Sequence, residues 1–121
     1  KTFESTLHPK VHVIGDACIA GAMPKSGHSA NNQAKMCAAA IVALLNEQEV
    51  PIPSHVNTCY SLIAPNYGIS VAAVYHLKDG KIAAVEGSGG VSPAEADAQF
   101  RQREALYAEG WYANITVDTF C

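Results

Sequence analysis

The pair Asp79-Gly80, set between two strand-like runs, constrains this chain more than any other local feature. An Asp-Gly pair supplies the positive φ angles of a two-residue hairpin turn, so residues 69–77 and 82–86 are expected to run antiparallel on either side of it. A further strand is expected over 58–63, separated from the second by Ala64-Pro65-Asn66-Tyr67-Gly68. The middle of the chain therefore reads as a β-meander, which Gly87-Ser88-Gly89-Gly90 interrupts.

The flanks follow a different period. Ala34, Cys37, Ala38, Ile41, Leu44 and Leu45 recur at helical spacing, so a helix buried along those residues is expected from about 29 to 46. Val50-Pro51-Ile52-Pro53 ends it as a stiff linker. Upstream, the β-branched run Val11-His12-Val13-Ile14 stops at Gly15-Asp16 and reads as a buried, parallel strand. Gly21, Pro24 and Gly27 make the intervening stretch a loop. Near the end, Ser92-Pro93-Ala94-Glu95 has the form of a capping box, and Ala96, Phe100, Arg103 and Tyr107 carry a helical spacing towards Trp111. The expected fold class is α+β: a strand and helix, then a small antiparallel meander with a C-terminal helix. The domain division is expected between 1–50 and 51–121.

Composition narrows the function. The net charge of −3 leaves no basic face for nucleic acid. No apolar run approaches the roughly 20 residues of a membrane span. Charged residues make up 16% and hydrophobic ones 49%, a balance that implies surface normally facing another domain or subunit. The four cysteines, Cys18, Cys37, Cys59 and Cys121, form no C-x-x-C, which argues against a zinc ribbon or a thioredoxin motif. Cys18 and Cys37 read as buried thiols. The five histidines show no metal-binding spacing. The chain starts at Lys1 without a methionine, which reads as a cut.

Gly15-Asp16 carries the first chemical signal. A carboxylate leaving the end of a strand can accept hydrogen bonds from sugar or ribityl hydroxyls. The start of the following helix, near Ser26 and Gly27, offers unpaired N–H groups to an electron-rich oxygen. Alone, Gly-Asp after a strand is also an ordinary turn, Cys59 an ordinary strand cysteine, Trp111 an ordinary core anchor and Lys25 an ordinary solvated lysine.

A resemblance adds to this reading. Residues 11–17 resemble the second FAD motif of flavoproteins with two dinucleotide-binding domains, among them disulfide reductases and sulfide oxidoreductases. The stretches Phe3-Glu4-Ser5-Thr6, Met23-Pro24-Lys25-Ser26-Gly27, Asn57-Thr58-Cys59-Tyr60-Ser61, 67–73, Trp111-Tyr112 and Asp118-Thr119-Phe120 narrow it. Together they resemble the flavin-binding subunit of flavocytochrome c sulfide dehydrogenase. The resemblance implies a periplasmic bacterial enzyme that oxidises sulfide through a cysteine disulfide and FAD and passes electrons to a c-type cytochrome subunit. It implies that Cys59 is a redox cysteine, with its partner cysteine and the Gly-x-Gly-x-x-Gly fingerprint on an N-terminal flavoprotein region. It implies that Asp16 is a ribityl ligand and that Trp111 lies close to the flavin; beside Asp16, the residues' own chemistry makes Gly15, Lys25, Ser26 and Gly27 candidates to border it.

On this reading the 121 residues alone neither retain FAD nor turn over sulfide, and their apolar face favours self-association, with Cys121 available for an intermolecular disulfide. Two alternatives stand beside it: a stand-alone α+β interaction module, and part of a sulfide:quinone oxidoreductase. The second is disfavoured because residues 93–121 carry mixed charges rather than the membrane-seeking face that access to quinone requires.

Overall fold

The structure, a computed structural model, describes residues Lys1–Cys121. Helix α1 (Gly27–Leu45) is followed by strands β1 (Ser54–Ala64), β2 (Tyr67–Lys78), β3 (Lys81–Ala84) and β4 (Gly90–Val91), and by helix α2 (Ala98–Phe120). The four strands form one sheet in the order β1-β2-β3, with β4 also paired to β2. The fold is α+β as expected. No helix is long and apolar enough to cross a membrane.

The Asp-Gly turn does what its chemistry demands. Asp79 and Gly80 take φ of 50° and 76°, and Lys78 pairs directly with Lys81 across them. Asn66, at φ 61°, turns β1 into β2.

Several elements depart from the expectation. Helix α1 begins two residues early because the Ser26 hydroxyl accepts the Ser29 N–H at 3.0 Å and so caps it. The proposed capping box at 92–95 is not one. Asp97 caps α2 instead, its carboxylate accepting the Phe100 N–H at 2.7 Å. The Ser92 hydroxyl is already engaged with β2, accepting from the Ser70 N–H at 2.7 Å. The run 11–14 forms no parallel strand: its one bridge is antiparallel, between Glu4 and His12, and Val11 is half exposed. The run lies against the Glu4 segment and outside the four-stranded sheet.

The chain divides into two compact units, Lys1–Asn57 with Ala73–Gly89, and Thr58–Ala72 with Gly90–Cys121. In the first, α1 packs on the short 3-10 turn Gly15–Ala17. Its buried side carries Ser29, Gln33, Cys37, Ala40 and Ala43. This differs from the expected stripe: of its members only Cys37 is buried, and Leu45 is 80% exposed. The interior that α1 faces is polar, so the helix turns its hydrogen-bonding residues inward. Asn57 Oδ1 accepts from the hydroxyls of Ser26 at 2.5 Å and Ser29 at 2.9 Å. His55 Nδ1 meets Asn32 Oδ1 at 2.8 Å, with Phe3 edge-on to the imidazole. The most enclosed side chains of the molecule are His55, Gln33, Asn57 and Ser29. Each satisfied bond in such an interior contributes only about 1 kcal/mol, but losing one partner strands the other.

In the second unit, α2 buries Arg101, Ala105 and Ala108. Close approach dictates the choice. A Cβ on Gly68 would stand 2.4 Å from the Ala105 nitrogen, so β2 and α2 meet backbone to backbone and small residues line the contact.

Candidate functional site

A shallow cavity of about 100 Å³ opens in the first unit, lined by the 15–25 loop together with Ser29 and Gln33 of α1. The loop is bound to its surroundings through specific backbone atoms. Gly15, at φ +66°, adopts a conformation glycine tolerates without strain, and its open side faces the Ala30 methyl of α1. Its N–H donates to Gln33 Oε1 at 2.8 Å. The Asp16 carbonyl accepts from Lys25 Nζ at 2.6 Å. Gly21, at φ +60°, lies so close to the Ile82 carbonyl of β3 that no side chain fits there, and the Ala22 N–H donates to that same carbonyl at 3.0 Å.

Of the residues singled out in the sequence, Gly15, Asp16 and Lys25 share this cavity. The Asp16 side chain is exposed, so its carboxylate is available to a ligand. Ser26 and Gly27 lie at the start of α1, where Ser26 caps the helix and is tied to Asn57; they do not line the cavity. Cys59 and Trp111 belong to the second unit. Cys59 is half-buried on β1, and none of the four cysteines is in a disulfide. The next residue, Tyr60, stacks at a tilt on Trp111, with ring centroids 5.9 Å apart. Burial, with Glu104 and Tyr107 adding to it, raises the Tyr60 phenol above its ordinary pKa, so it stays protonated.

Sequence reasoning missed Gln33 and Cys18, which also line the cavity. The Cys18 thiol lies 3.3 Å from the Gly15 carbonyl and 3.5 Å from Gln33 Oε1, as a donor to both. Burial lifts its pKa against the opposing pull of Lys25 and favours the thiol over the reactive thiolate. A signal for Gln33 existed: it lies four residues from both Ser29 and Cys37, on one helical face, in an otherwise alanine-rich segment.

Chemically, the cavity suits one polar edge of a larger molecule. It offers an exposed carboxylate for hydroxyl groups and an ammonium nearby, and its volume is well below the ~300–1,000 Å³ of enclosed small-molecule pockets. Residues 51–120, more than half of the chain and including both Cys59 and Trp111, match the family model described as flavocytochrome c sulphide dehydrogenase, flavin-binding.

Proposed function

The chain belongs to the flavocytochrome c sulphide dehydrogenase flavin-binding family, and from that premise we propose that it supplies part of the FAD site and one redox sulfur of a periplasmic sulfide dehydrogenase. The family match across Cys59 is the observation that carries this reading. The Asp16 cavity supports it, because an exposed carboxylate beside a turn fits the hydroxyl-rich ribityl chain of a flavin.

In the proposed reaction Cys59 forms a disulfide with a second cysteine of the complete flavoprotein. Hydrosulfide attacks one sulfur of that disulfide. A persulfide bond forms, the cysteine S–S bond breaks, and the other sulfur leaves as a thiolate carrying the electron pair. Bound flavin supplies the two-electron acceptor, and a c-type cytochrome is the onward partner. This chain's own share is to bind and orient. Asp16 would accept hydrogen bonds from ribityl hydroxyls. The Lys25 ammonium stands at the same cavity and favours negative charge there. Trp111 braces Tyr60, the neighbour of Cys59.

The cavity takes only an edge of the cofactor, so residues 1–121 alone are expected to release FAD on desalting. The test uses the complete FAD-loaded flavoprotein. Sulfide is expected to bleach its visible flavin band, and Asp16→Ala is expected to weaken FAD retention about tenfold, the scale of one hydrogen bond to a charged group. A flavoprotein whose flavin band does not respond to sulfide would remove the reading.

A further inference from the structure

Gln33 is almost wholly enclosed, at 2% exposure, and of the two α1 residues that line the cavity it is the one that bonds to the facing loop. Its side-chain amide reaches three points of the facing loop. Oε1 accepts the Gly15 N–H at 2.8 Å and lies 3.5 Å from the Cys18 thiol, while Nε2 donates towards Met23 Sδ at 3.8 Å. Of the three, the bond to Gly15 is the short one between strong partners. It lands on the residue immediately before Asp16. On the far side of Asp16, its own carbonyl is held by Lys25 at 2.6 Å. The backbone that carries the exposed carboxylate is therefore gripped from two directions, once by a buried amide of α1 and once by a lysine of the loop itself.

The two grips are unequal. Lys25 is an exposed, flexible side chain. Gln33 sits on a rigid helix, and its enclosed oxygen cannot leave the Gly15 N–H without giving up its short hydrogen bond. The positive φ of Gly15 allows the turn, and the Gln33 bond selects where it stands.

We propose that Gln33 is a positioning residue for the ligand bound at Asp16: through the Gly15 N–H it sets the direction of the Asp16 carboxylate. This rests on the reading of the cavity as part of a flavin site. Gln33 acts through Asp16 and needs no bond of its own to the ligand.

The experiment is a double-mutant cycle in the complete FAD-loaded flavoprotein, read as the FAD dissociation constant and as the visible circular dichroism of the bound flavin. Gln33→Met keeps the length and loses the acceptor oxygen. Gln33→Asn keeps the amide but withdraws it from Gly15, and serves if the methionine variant does not fold. Gln33→Glu keeps an oxygen at the same reach. The methionine or asparagine variant is expected to weaken FAD about tenfold and alter the flavin dichroism, and Gln33→Glu to restore affinity to within about threefold of the parent. On an Asp16→Ala background the Gln33 substitutions are expected to add almost nothing. Asp16→Ala weakening FAD while Gln33→Met and Gln33→Asn leave it unchanged overturns the inference alone. So does a Gln33 effect of equal size with and without the Asp16 carboxylate. Asp16→Ala without any effect on FAD overturns the flavin reading of the cavity, and the inference with it.

Discussion

The two units of this small chain are held together by different physics. In the first, the side chains hidden most completely are His55, Gln33, Asn57 and Ser29, and directional hydrogen bonds set their places. In the second, Gly68 lets β2 and α2 meet at backbone distance over Ala105, and Arg101 is the one buried polar side chain. A hydrogen-bonded interior fixes directions, and in the first unit it fixes the turn that presents the exposed Asp16 carboxylate. A close-approach interior fixes distance and tolerates changes in chemistry as long as nothing grows. The contrast predicts that added size at Gly68 breaks the second unit, whereas lost polarity at Asn57 breaks the first.

The sharpest test is Gly68→Ala. Its methyl group meets the backbone of Glu104 and Ala105, which cannot rotate aside, so a loss of about 3 kcal/mol is expected. Trp111 is the only tryptophan and lies in this unit, so its fluorescence during urea unfolding reports the change directly. Stability equal to the parent would mean that β2 and α2 are not in backbone contact.

Next comes Asn57→Ala, which removes the shared acceptor and strands the hydroxyls of Ser26 and Ser29. A loss of about 2 kcal/mol is expected in urea unfolding followed by circular dichroism. A loss below about 0.5 kcal/mol would sink the claim that polarity holds the first unit.

The third test is the pH profile. Burial depresses the His55 pKa below its ordinary 6.5. Its Nδ1 already faces Asn32, and Nε2 has no acceptor for a second proton. The unfolded chain therefore binds that proton more readily than the folded one. Stability contributed by neutral His55 is complete above about pH 6.5 and declines as pH falls below it, towards the lower folded value. Urea midpoints between pH 8 and 5 are expected to fall on the acid side, and His55→Gln to flatten that fall. An unchanged slope in the variant would assign the acid sensitivity elsewhere.

The smallest effect is expected at Arg101. Its guanidinium lies over the Tyr67 ring and donates to the Pro93 and Ala94 carbonyls, yet Nε and Nη1 have no partner. Replacing a poorly satisfied buried charge by an apolar chain of similar length gives back the cost of desolvation. Arg101→Met is expected to change stability by less than about 1 kcal/mol. A loss above about 3 kcal/mol would show that this unit, too, depends on directed polar bonds.

What could be read in advance follows the same division. The Asp79-Gly80 turn and the strands around it were legible because their cause is local: two backbone angles and an alternating pattern. The buried side of α1 was not, since counting apolar positions passes over Gln33 and Ser29, which are buried by virtue of partners far away in the chain. Ser92 was misread for a similar reason: its hydroxyl suits a helix cap, but β2 claims it first. At the candidate site, Asp16 was visible as a carboxylate after a glycine, and Cys59 came from the resemblance around it. Gln33 stayed hidden because its importance lies in facing Gly15, 18 residues earlier.

In the proposed reaction sulfide reduces the flavin through a disulfide of which Cys59 is one half. Stopped-flow absorbance of the complete FAD-loaded flavoprotein carrying Cys59→Ser tests it most directly. Sulfide is expected no longer to bleach the flavin band of this variant, while dithionite, which needs no cysteine, still does. Bleaching by sulfide at the parent's rate would contradict it.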